Sequence, residues 1–271
     1  MNNVVDIAFI GAGKVGCSLA RFLADSERVR LAGFFSRSES SAREAAAFAG
    51  GRACGSIEEC TGSASVIFVT TPDAAIAEVG RELAGLDLAG KIVAHCSGAT
   101  PSSALDACRG VGACVASLHP LYAVSSRFDS WRELASCTFA VEGDECACDL
   151  LGSIVRELGA AVVKIDGTQK ARYHAAAVMA SNLVVGLYDM AVSELVTCGF
   201  DHAGAERALA PLFLGNARHV AEDGPADALT GPAARGDEAT IERHLGCLGG
   251  DTRAVYELLT QRCREIAKRR G

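Results

Sequence analysis

The strongest chemical signal in the sequence is a glycine-rich loop that directly follows a short apolar run and opens a helical pattern. The loop consists of Gly11, Ala12, Gly13, Lys14, Val15 and Gly16. In this spacing the first glycine permits a tight turn, the second lets backbone approach a pyrophosphate, and the third lets helix pack closely on strand. Free N–H groups at the helix start then face the phosphates. The pattern differs from a P-loop and predicts a dinucleotide-binding turn, with a plain glycine-rich turn as the alternative.

The end of the second predicted strand distinguishes between cofactors. An NAD site usually has Asp or Glu here, which holds the ribose 2′-hydroxyl. This sequence has Ser36, Arg37 and Ser38, with no acidic residue before Glu39. Arginine makes a forked, charged contact with phosphate, and serines add hydrogen bonds. We therefore expect NADP rather than NAD; an arginine solvated at a loop edge is the alternative.

The third predicted strand ends in a polar turn made of Thr70, Thr71, Pro72 and Asp73. In a doubly wound sheet, ligands lie outside the carboxyl ends of the strands. We therefore expect this turn to approach the ribose or nicotinamide of the cofactor. The alternative is that Thr71 and Asp73 only cap the helix that begins at this point.

Two histidines, His95 and His119, end strands at the same predicted edge of the sheet. Histidine transfers protons near neutral pH, and we expect His95 to line the nicotinamide pocket. A structural histidine satisfied by backbone groups is the alternative for each of the two.

A second candidate for proton transfer lies on a helix further along the chain. Lys170, Tyr173 and His174 share one helix face by their spacing. Partial burial would lower the pKa of Lys170 and make it a usable acid or base. We expect Lys170 to donate or accept the proton, His174 to be its partner and Asn182 to orient the substrate. A solvated first turn is the alternative.

The loop from Ala228 to Asp237 carries the last candidate residue, Arg235. Two parallel hydrogen bonds from Arg235 could hold a substrate carboxylate, and Asp237 could cap the following helix. A purely structural turn is the alternative.

The elements that must position these residues fall into two sets. Seven short apolar runs between Val4 and Ile165 alternate with helical patterns, which indicates βαβ units and a mostly parallel sheet. After Asp166 only helical patterns follow, the first from Thr168 to Cys198. We expect an α/β Rossmann-type, doubly wound domain over residues 1–166 and an all-α domain over residues 167–271.

Composition excludes several function classes. Lysine plus arginine number 26 against 33 acidic residues, and no long basic run predicts nucleic-acid binding. The 12 cysteines are scattered without zinc-site spacing, so we expect buried thiols and no metal. No signal-peptide pattern precedes the first strand, so we expect a cytoplasmic chain with reduced thiols. The apolar stretch from Ala175 to Val192 predicts a buried helix of a soluble protein rather than a membrane span.

Taken in order, the motifs resemble a known group of proteins. They are the glycine loop, Ser36-Arg37-Ser38, Thr71-Pro72-Asp73, His95-Cys96-Ser97-Gly98, Ser117-Leu118-His119-Pro120-Leu121, Tyr173-His174, Leu229-Thr230-Gly231-Pro232 and Arg235-Gly236-Asp237. The sequence resembles Rossmann-like NADP-binding proteins with a C-terminal helical domain of unknown function. This group lies within the 6-phosphogluconate dehydrogenase-like superfamily and is related to pyrroline-5-carboxylate reductase and the β-hydroxyacid dehydrogenases.

The resemblance implies the fold, the cofactor NADP and a homodimer. In β-hydroxyacid dehydrogenases the matching helix carries lysine and, four residues later, asparagine; here Lys170 is followed by His174. We therefore expect an NADP-dependent oxidoreductase that transfers hydride between nicotinamide and a small C–OH/C=O or C=N substrate. The alternative is a regulatory or redox-sensing module that binds NADP without turnover. A methyltransferase is disfavoured by the Arg37 site and the late helical domain.

Overall fold

The structure is a computed structural model and describes residues 4–270. Its strands are β1 (Val5–Ile10), β2 (Val29–Phe35), β3 (Val66–Val69), β4 (Ile92–His95), β5 (Cys114–Pro120), β6 (Thr138–Gly143) and β7 (Ala161–Lys164). Its helices are α1 (Lys14–Leu23), α2 (Glu39–Ala49), α3 (Ile57–Thr61), α4 (Asp73–Leu83), α5 (Asp106–Arg109), α6 (Glu145–Glu157), α7 (Lys170–Ala180), α8 (Asn182–Thr197), α9 (His202–Ala228), α10 (Pro232–Arg235), α11 (Glu238–Cys247) and α12 (Gly250–Ala267).

The strands form one seven-stranded sheet in the order β2-β1-β3-β4-β5-β6-β7. All neighbouring pairs are parallel except β5 and β6. The chain passes from β1 to β2 on one side and then to β3 on the other, so the strand order reverses between β1 and β3. The predicted fold class, a doubly wound and mostly parallel sheet followed by helices, is confirmed.

Two apolar layers cover the two faces of this sheet, as the uninterrupted apolar runs of its central strands predict. On one face, Phe9 of β1 stacks between Phe34 and Phe68, with each pair of ring centroids 5.3 Å apart. All three rings are fully buried. The sheet is therefore a rigid support for the loops that follow its strands.

The chain divides into two compact units, the first ending at Ser181 and the second beginning at Asn182. Strands end at Lys164, but the first unit extends through α7, beyond the predicted boundary near residue 166. The expected single helix from Thr168 to Cys198 is interrupted at Ser181, where the backbone leaves the helical region (φ −129°, ψ −84°). The second unit is entirely helical within the described residues.

The expectation of a buried helix from Ala175 to Val192 is wrong. Met179 is 65% exposed and Val185 70%, whereas Val192 is buried. The apolar residues lie all around these two helices, and one copy of the chain does not cover them. By length and composition alone, the segment Gly167–Thr197 is apolar enough to cross a membrane, with a mean hydropathy of 1.5.

The cysteines are not all thiols, which corrects the expectation of a fully reduced chain. Cys114 and Cys146 form a disulfide. The start of β5 and the start of α6 are held together there, because Asp144 accepts the Val115 N–H at 2.7 Å and donates its own N–H to the Val115 carbonyl at 2.8 Å. The buried thiols, which support the expected apolar role, are Cys17, Cys54, Cys60, Cys96, Cys108, Cys137 and Cys148.

Truncating the central ring of the aromatic stack tests how far the sheet depends on it. Phe9→Ala is expected to lower the free energy of unfolding by about 3–5 kcal/mol, because it removes apolar contacts and leaves a cavity. Urea denaturation measures the change. The control Val163→Ala, on a residue 51% exposed in an outer strand, is expected to change it by less than about 0.5 kcal/mol. Equal effects of the two substitutions would contradict this view of the core.

Candidate functional site

The glycine loop between β1 and α1 has the geometry that its spacing predicts. Gly11 has φ of +114°, and a Cβ there would lie 2.7 Å from the Thr70 carbonyl. A Cβ on Gly16 would lie 2.6 Å from the carbonyl oxygen of Gly11, so α1 packs directly on the turn. A Cβ on Gly13 would meet nothing within 4 Å. The first and third glycines are thus required by packing, while the second borders open space.

A cavity of about 310 Å³ opens beside this loop, at the point where the strand order reverses. It is lined by Ile10, Gly11, Ala12, Gly13, Phe35, Ser36, Arg37, Ile57, Thr70, Thr71, Pro72, Ala75, Glu78, Val79 and Glu82. No side chain caps the start of α1, and its first turn contains no acidic residue. Uncapped N–H groups at this cavity favour an anion such as a phosphate.

Arg37 borders the cavity at the end of β2. Its guanidinium makes no hydrogen bond or ion pair within residues 4–270, and the side chain is exposed. Ser36 lies beside it in the cavity wall. Ser38 does not, because its hydroxyl caps α2 by accepting the Ser41 N–H at 3.3 Å. A free cation at this position suits an additional phosphate.

The turn after β3 joins the glycine loop to the rest of the sheet edge. The Thr70 hydroxyl donates to the Gly11 carbonyl at 2.9 Å. The Thr71 hydroxyl is buried in the cavity wall without a hydrogen-bond partner among the described residues, and it does not cap α4. An unpaired hydroxyl in such a wall is a ready contact for a ligand. Asp73 accepts a hydrogen bond from Ser97 at 2.6 Å and so links the ends of β3 and β4.

Of the predicted cofactor residues, Lys14, Val15, Gly16 and Ser38 do not line the cavity. Sequence reasoning missed the wall that α4 provides, formed by Ala75, Glu78, Val79 and Glu82. Their spacing places them on one helix face, which is a signal that could have been used.

His95 holds a loop rather than lining a nicotinamide pocket, which corrects the catalytic expectation. The side chain is fully buried. Its Nδ1 accepts the Ser97 N–H at 3.1 Å, and its Nε2 therefore donates to the Pro101 carbonyl at 3.2 Å. Burial, assisted by the positive charge of Lys170, lowers the pKa of His95 to about 4. A neutral histidine with both nitrogens engaged is a structural residue.

Lys170 is buried beneath this edge of the sheet, with 1% of its surface exposed. Its ammonium group donates to the Ser97 carbonyl at 2.6 Å and to the Ser117 hydroxyl, and lies 3.8 Å from the Glu142 carboxylate. Burial lowers the pKa of Lys170, as expected, while Glu142 acts in the opposite direction. The partners of Lys170 are therefore Ser97, Ser117 and Glu142. His174, the partner expected from the sequence, is not among them.

Glu142, which sequence reasoning missed, is buried at the end of β6. Its carboxylate accepts the N–H and the hydroxyl of Ser102, each at 2.7 Å. These bonds and the nearby ammonium of Lys170 compensate its burial. Lys170 and Glu142 thus tie α7 to the turn after β4 and to the middle of β5.

His174 lies one turn along α7 from Lys170 and faces His119 instead. The centroids of the two imidazole rings are 6.1 Å apart. His119 Nδ1 lies 2.8 Å from the Tyr173 hydroxyl. Lys170, Tyr173 and His174 therefore contact two separate groups of side chains. Lys170 contacts Ser117 and Glu142, whereas Tyr173 and His174 contact His119.

Asn182 and Arg235 belong to the second unit. Asn182 begins α8, and Arg235 is the exposed last residue of α10. Asp237 caps α11 by accepting the Thr240 N–H at 3.1 Å, as predicted. The substrate-orienting roles of Asn182 and Arg235 stay predictions. Within the described part of the chain, no three His, Cys, Asp or Glu side chains are grouped to hold a metal ion.

Two known domain families match separate parts of the chain. Residues 2–120 match the Rossmann-like domain, and residues 137–263 match a domain of unknown function, DUF2520. This chain joins a Rossmann-like domain to a DUF2520 domain. The match to DUF2520 begins before β6 and thus includes the last two strands of the sheet.

Solved structures resemble this chain over nearly its whole length. Protein TM1727 from Thermotoga maritima is 28% identical, with a TM-score of 0.78 over 97% of this chain and 99% of that chain. A candidate NADP oxidoreductase, BF3122 from Bacteroides fragilis, is 27% identical, with a TM-score of 0.71 over 98% and 100%. A pyrroline-5-carboxylate reductase from Coxiella burnetii is 16% identical, with a TM-score of 0.66 over 98% of each chain, and shares the fold. None of the curated proteins compared with the chain matches it.

The buried histidine of the Rossmann-like domain makes stability depend on pH. Histidine titrates near 6.5 in the unfolded chain, whereas His95 titrates at about 4 when folded. Its contribution is therefore complete above pH 6.5 and is lost as pH falls toward 4, because the unfolded chain binds the proton first. The shift corresponds to about 3 kcal/mol. Urea denaturation between pH 7.5 and 4 is expected to show a smaller loss for His95→Gln than for the wild type.

The control for this measurement is His202→Gln, because the His202 side chain is 69% exposed. The pH dependence of His202→Gln is expected to match the wild type, since this variant keeps the buried His95. A wild-type pH dependence in His95→Gln would contradict the role assigned to His95.

Proposed function

We propose that this protein is an NADP-dependent oxidoreductase that acts on a small molecule. The observation that carries the proposal is the cavity at the β1–β3 reversal, which combines uncapped α1 N–H groups, an open Gly13 and an unpaired Arg37. In open α/β sheets, ligands bind in the crevice at such a reversal. The name of the relative from Bacteroides fragilis supports the same activity.

The residues present fit the phosphate groups of a dinucleotide. Gly13 leaves room for backbone to approach a pyrophosphate, and a Cβ there would project into the open space. The Thr71 hydroxyl supplies an unpaired polar atom in the same wall. Arg37 and Ser36 line the cavity at the end of β2, the strand whose end contacts the adenosine ribose in this fold, and they would hold a 2′-phosphate there. Glu78 and Glu82 also line the cavity but come from α4, not from the end of β2 where an NAD-binding carboxylate lies.

The bound nicotinamide would supply the hydride donor or acceptor, which the protein itself lacks. The substrate would be a C–OH/C=O or C=N compound, classes that agree with the activity named for the Coxiella burnetii structure. The contribution of this chain is to orient the substrate and to hold or move one proton. The alternative, a redox sensor, would bind NADPH without consuming it.

Replacing the free cation tests the cofactor. Arg37→Ala is expected to weaken NADPH binding about ten- to a hundredfold, because it removes charged hydrogen bonds worth about 1.5–3 kcal/mol. NADH binding is expected to change much less, because NADH has no 2′-phosphate. Isothermal titration calorimetry measures both affinities, and Arg43→Ala, an exposed arginine of α2 outside the cavity wall, is the matched control.

A screen of small alcohols, carbonyls and imines, followed by absorbance of NADPH, then tests for turnover. Binding of NADPH without consumption of any compound would favour the sensor. Absence of heat with either dinucleotide would contradict the proposed function.

We also propose a homodimer formed through the helical unit. Leu212, Leu214 and Leu258 are 70%, 61% and 73% exposed. Exposed apolar groups in such number on one unit usually mark an interface. Light scattering at several concentrations is expected to give twice the chain mass, and Leu212→Glu with Leu214→Glu is expected to reduce it. Val163→Glu on the sheet unit is the control, and a monomer at every concentration would contradict the proposal.

A further inference from the structure

Helix α4 forms one wall of the cavity beside the glycine loop. Four of its residues line the cavity, namely Ala75, Glu78, Val79 and Glu82. Positions three, four and seven residues apart lie on one face of a helix. At a rise of 1.5 Å per residue, this face runs for about 10 Å along the cavity. The cavity therefore extends well beyond the turn that suits a pyrophosphate.

The two glutamates of this wall are free to accept hydrogen bonds. Glu78 and Glu82 are exposed, and neither carboxylate makes a hydrogen bond or an ion pair within residues 4–270. By contrast, Glu44 on α2 pairs with Arg127 at 2.6 Å. An ionised carboxylate only accepts hydrogen bonds and never donates one. Helix α4 thus supplies the cavity with two negatively charged acceptors.

Apolar side chains share the cavity with these carboxylates. Ile57 at the start of α3 is buried, and Val79 packs against the buried apolar layer on that face of the sheet. The Thr71 hydroxyl, buried without a partner among the described residues, independently indicates that a ligand occupies this cavity. An apolar surface with a few polar groups suits an aromatic heterocycle, whose faces are apolar and whose edge is polar.

The carboxylates lie on a different side of the cavity from its positive charge. Strand β1 lies between β2 and β3, and neighbouring strands are about 4.8 Å apart, so the ends of β2 and β3 are separated by about 10 Å. Arg37 follows β2, whereas α4 follows β3. No ion pair joins Arg37 to Glu78 or Glu82. One ligand can therefore place an anionic group at the first side and hydrogen-bond donors at the second.

We propose that Glu78 and Glu82 recognise the adenine base of the bound dinucleotide by accepting the two N–H groups of its exocyclic amine. The inference rests on the proposed NADP-dependent function and assigns a base specificity to that site. Adenine presents this amine as a donor at its edge. Residues at positions i and i+4 are neighbours on a helix surface, so both carboxylates can reach one amine.

The same arrangement rejects a base that has a carbonyl oxygen in place of the amine. In hypoxanthine this oxygen is an acceptor, and it would face two carboxylates that are acceptors as well. Discrimination between two ligands is strongest when the wrong one meets an unfavourable contact in addition to losing a favourable one. The site is therefore selective for adenine over hypoxanthine.

Binding of matched dinucleotides tests this selectivity. Isothermal titration calorimetry measures the affinity for NADPH and for its hypoxanthine analogue. The wild type is expected to bind the analogue about ten- to a hundredfold more weakly, because charge-assisted hydrogen bonds are lost. NADH and its hypoxanthine analogue are expected to show the same ratio, because the base and not the 2′-phosphate determines it.

Glutamine variants assign the effect to the two side chains. Glutamine keeps the shape of glutamate, and its amide group both donates and accepts hydrogen bonds. Glu78→Gln combined with Glu82→Gln is therefore expected to bind the two bases within about threefold of each other, and each single substitution is expected to give an intermediate ratio. The matched control is Glu58→Gln, an exposed glutamate of α3 outside the cavity wall, which is expected to keep the wild-type ratio. A general loss of stability does not change a ratio of two affinities measured on the same protein.

The outcomes separate this inference from the proposed function. Equal affinity of the wild type for NADPH and its hypoxanthine analogue would overturn the inference and keep the NADP site. An unchanged ratio in the double variant would overturn it as well, because other groups would then select the base. A gain in affinity for NADPH but not for NADH in the double variant would place the carboxylates beside the 2′-phosphate and overturn it too. Absence of binding by every dinucleotide would overturn both the inference and the function. A preference for adenine that the double variant loses supports the inference, whether or not turnover is found.

Discussion

A single buried ammonium group determines where helix α7 lies. Burying a charged group costs the folded protein several kcal/mol of stability unless the group finds hydrogen-bonding partners. Lys170 finds them in the Ser97 carbonyl after β4, the Ser117 hydroxyl within β5 and the Glu142 carboxylate near the end of β6. The helix is therefore fixed to the carboxyl edge of the sheet. Tyr173 and His174 are carried into position beside His119 by the same constraint.

The cavity beside the glycine loop depends on a different constraint, the close packing of backbone at the β1–β3 reversal. Gly11 and Gly16 lie so near Thr70 that neither can carry a side chain. That contact lets α1 begin at the sheet edge with its N–H groups directed to the cavity. The cavity and the position of α7 thus have separate origins: the first is built by the absence of side chains and the second by a buried charge. Substitutions in one are for this reason expected to leave the other folded.

The two units also differ in how they use apolar residues. The sheet unit buries its aromatic side chains in continuous layers on both faces. The helical unit leaves leucines of α9 and α12 exposed, although it surrounds an apolar cavity of about 580 Å³ near Met190, Leu209 and Val255. Apolar exposure on this scale is costly in water. The proposed homodimer would cover these exposed side chains.

The sequence by itself determined the alternation of seven strands with helices, the glycine turn and the arginine at the end of β2. These features are local, because spacing within a few residues sets periodicity, turn geometry and the residue that follows a strand. Even His95 and Lys170 were recognised as unusual from their positions alone. Their surroundings were not predictable, and so neither the loop that His95 anchors nor the partners of Lys170 were expected.

Only the tertiary structure decided which distant residues meet. Glu142 reaches Lys170, Cys114 pairs with Cys146, and the rings of His119 and His174 pack closely on Gly98. Each of these contacts joins segments far apart in the chain. Their formation depends on the order and register of β4, β5 and β6, and on the one antiparallel pair among them. Local periodicity does not encode strand order, because the same alternation of strands and helices is compatible with several arrangements of the sheet.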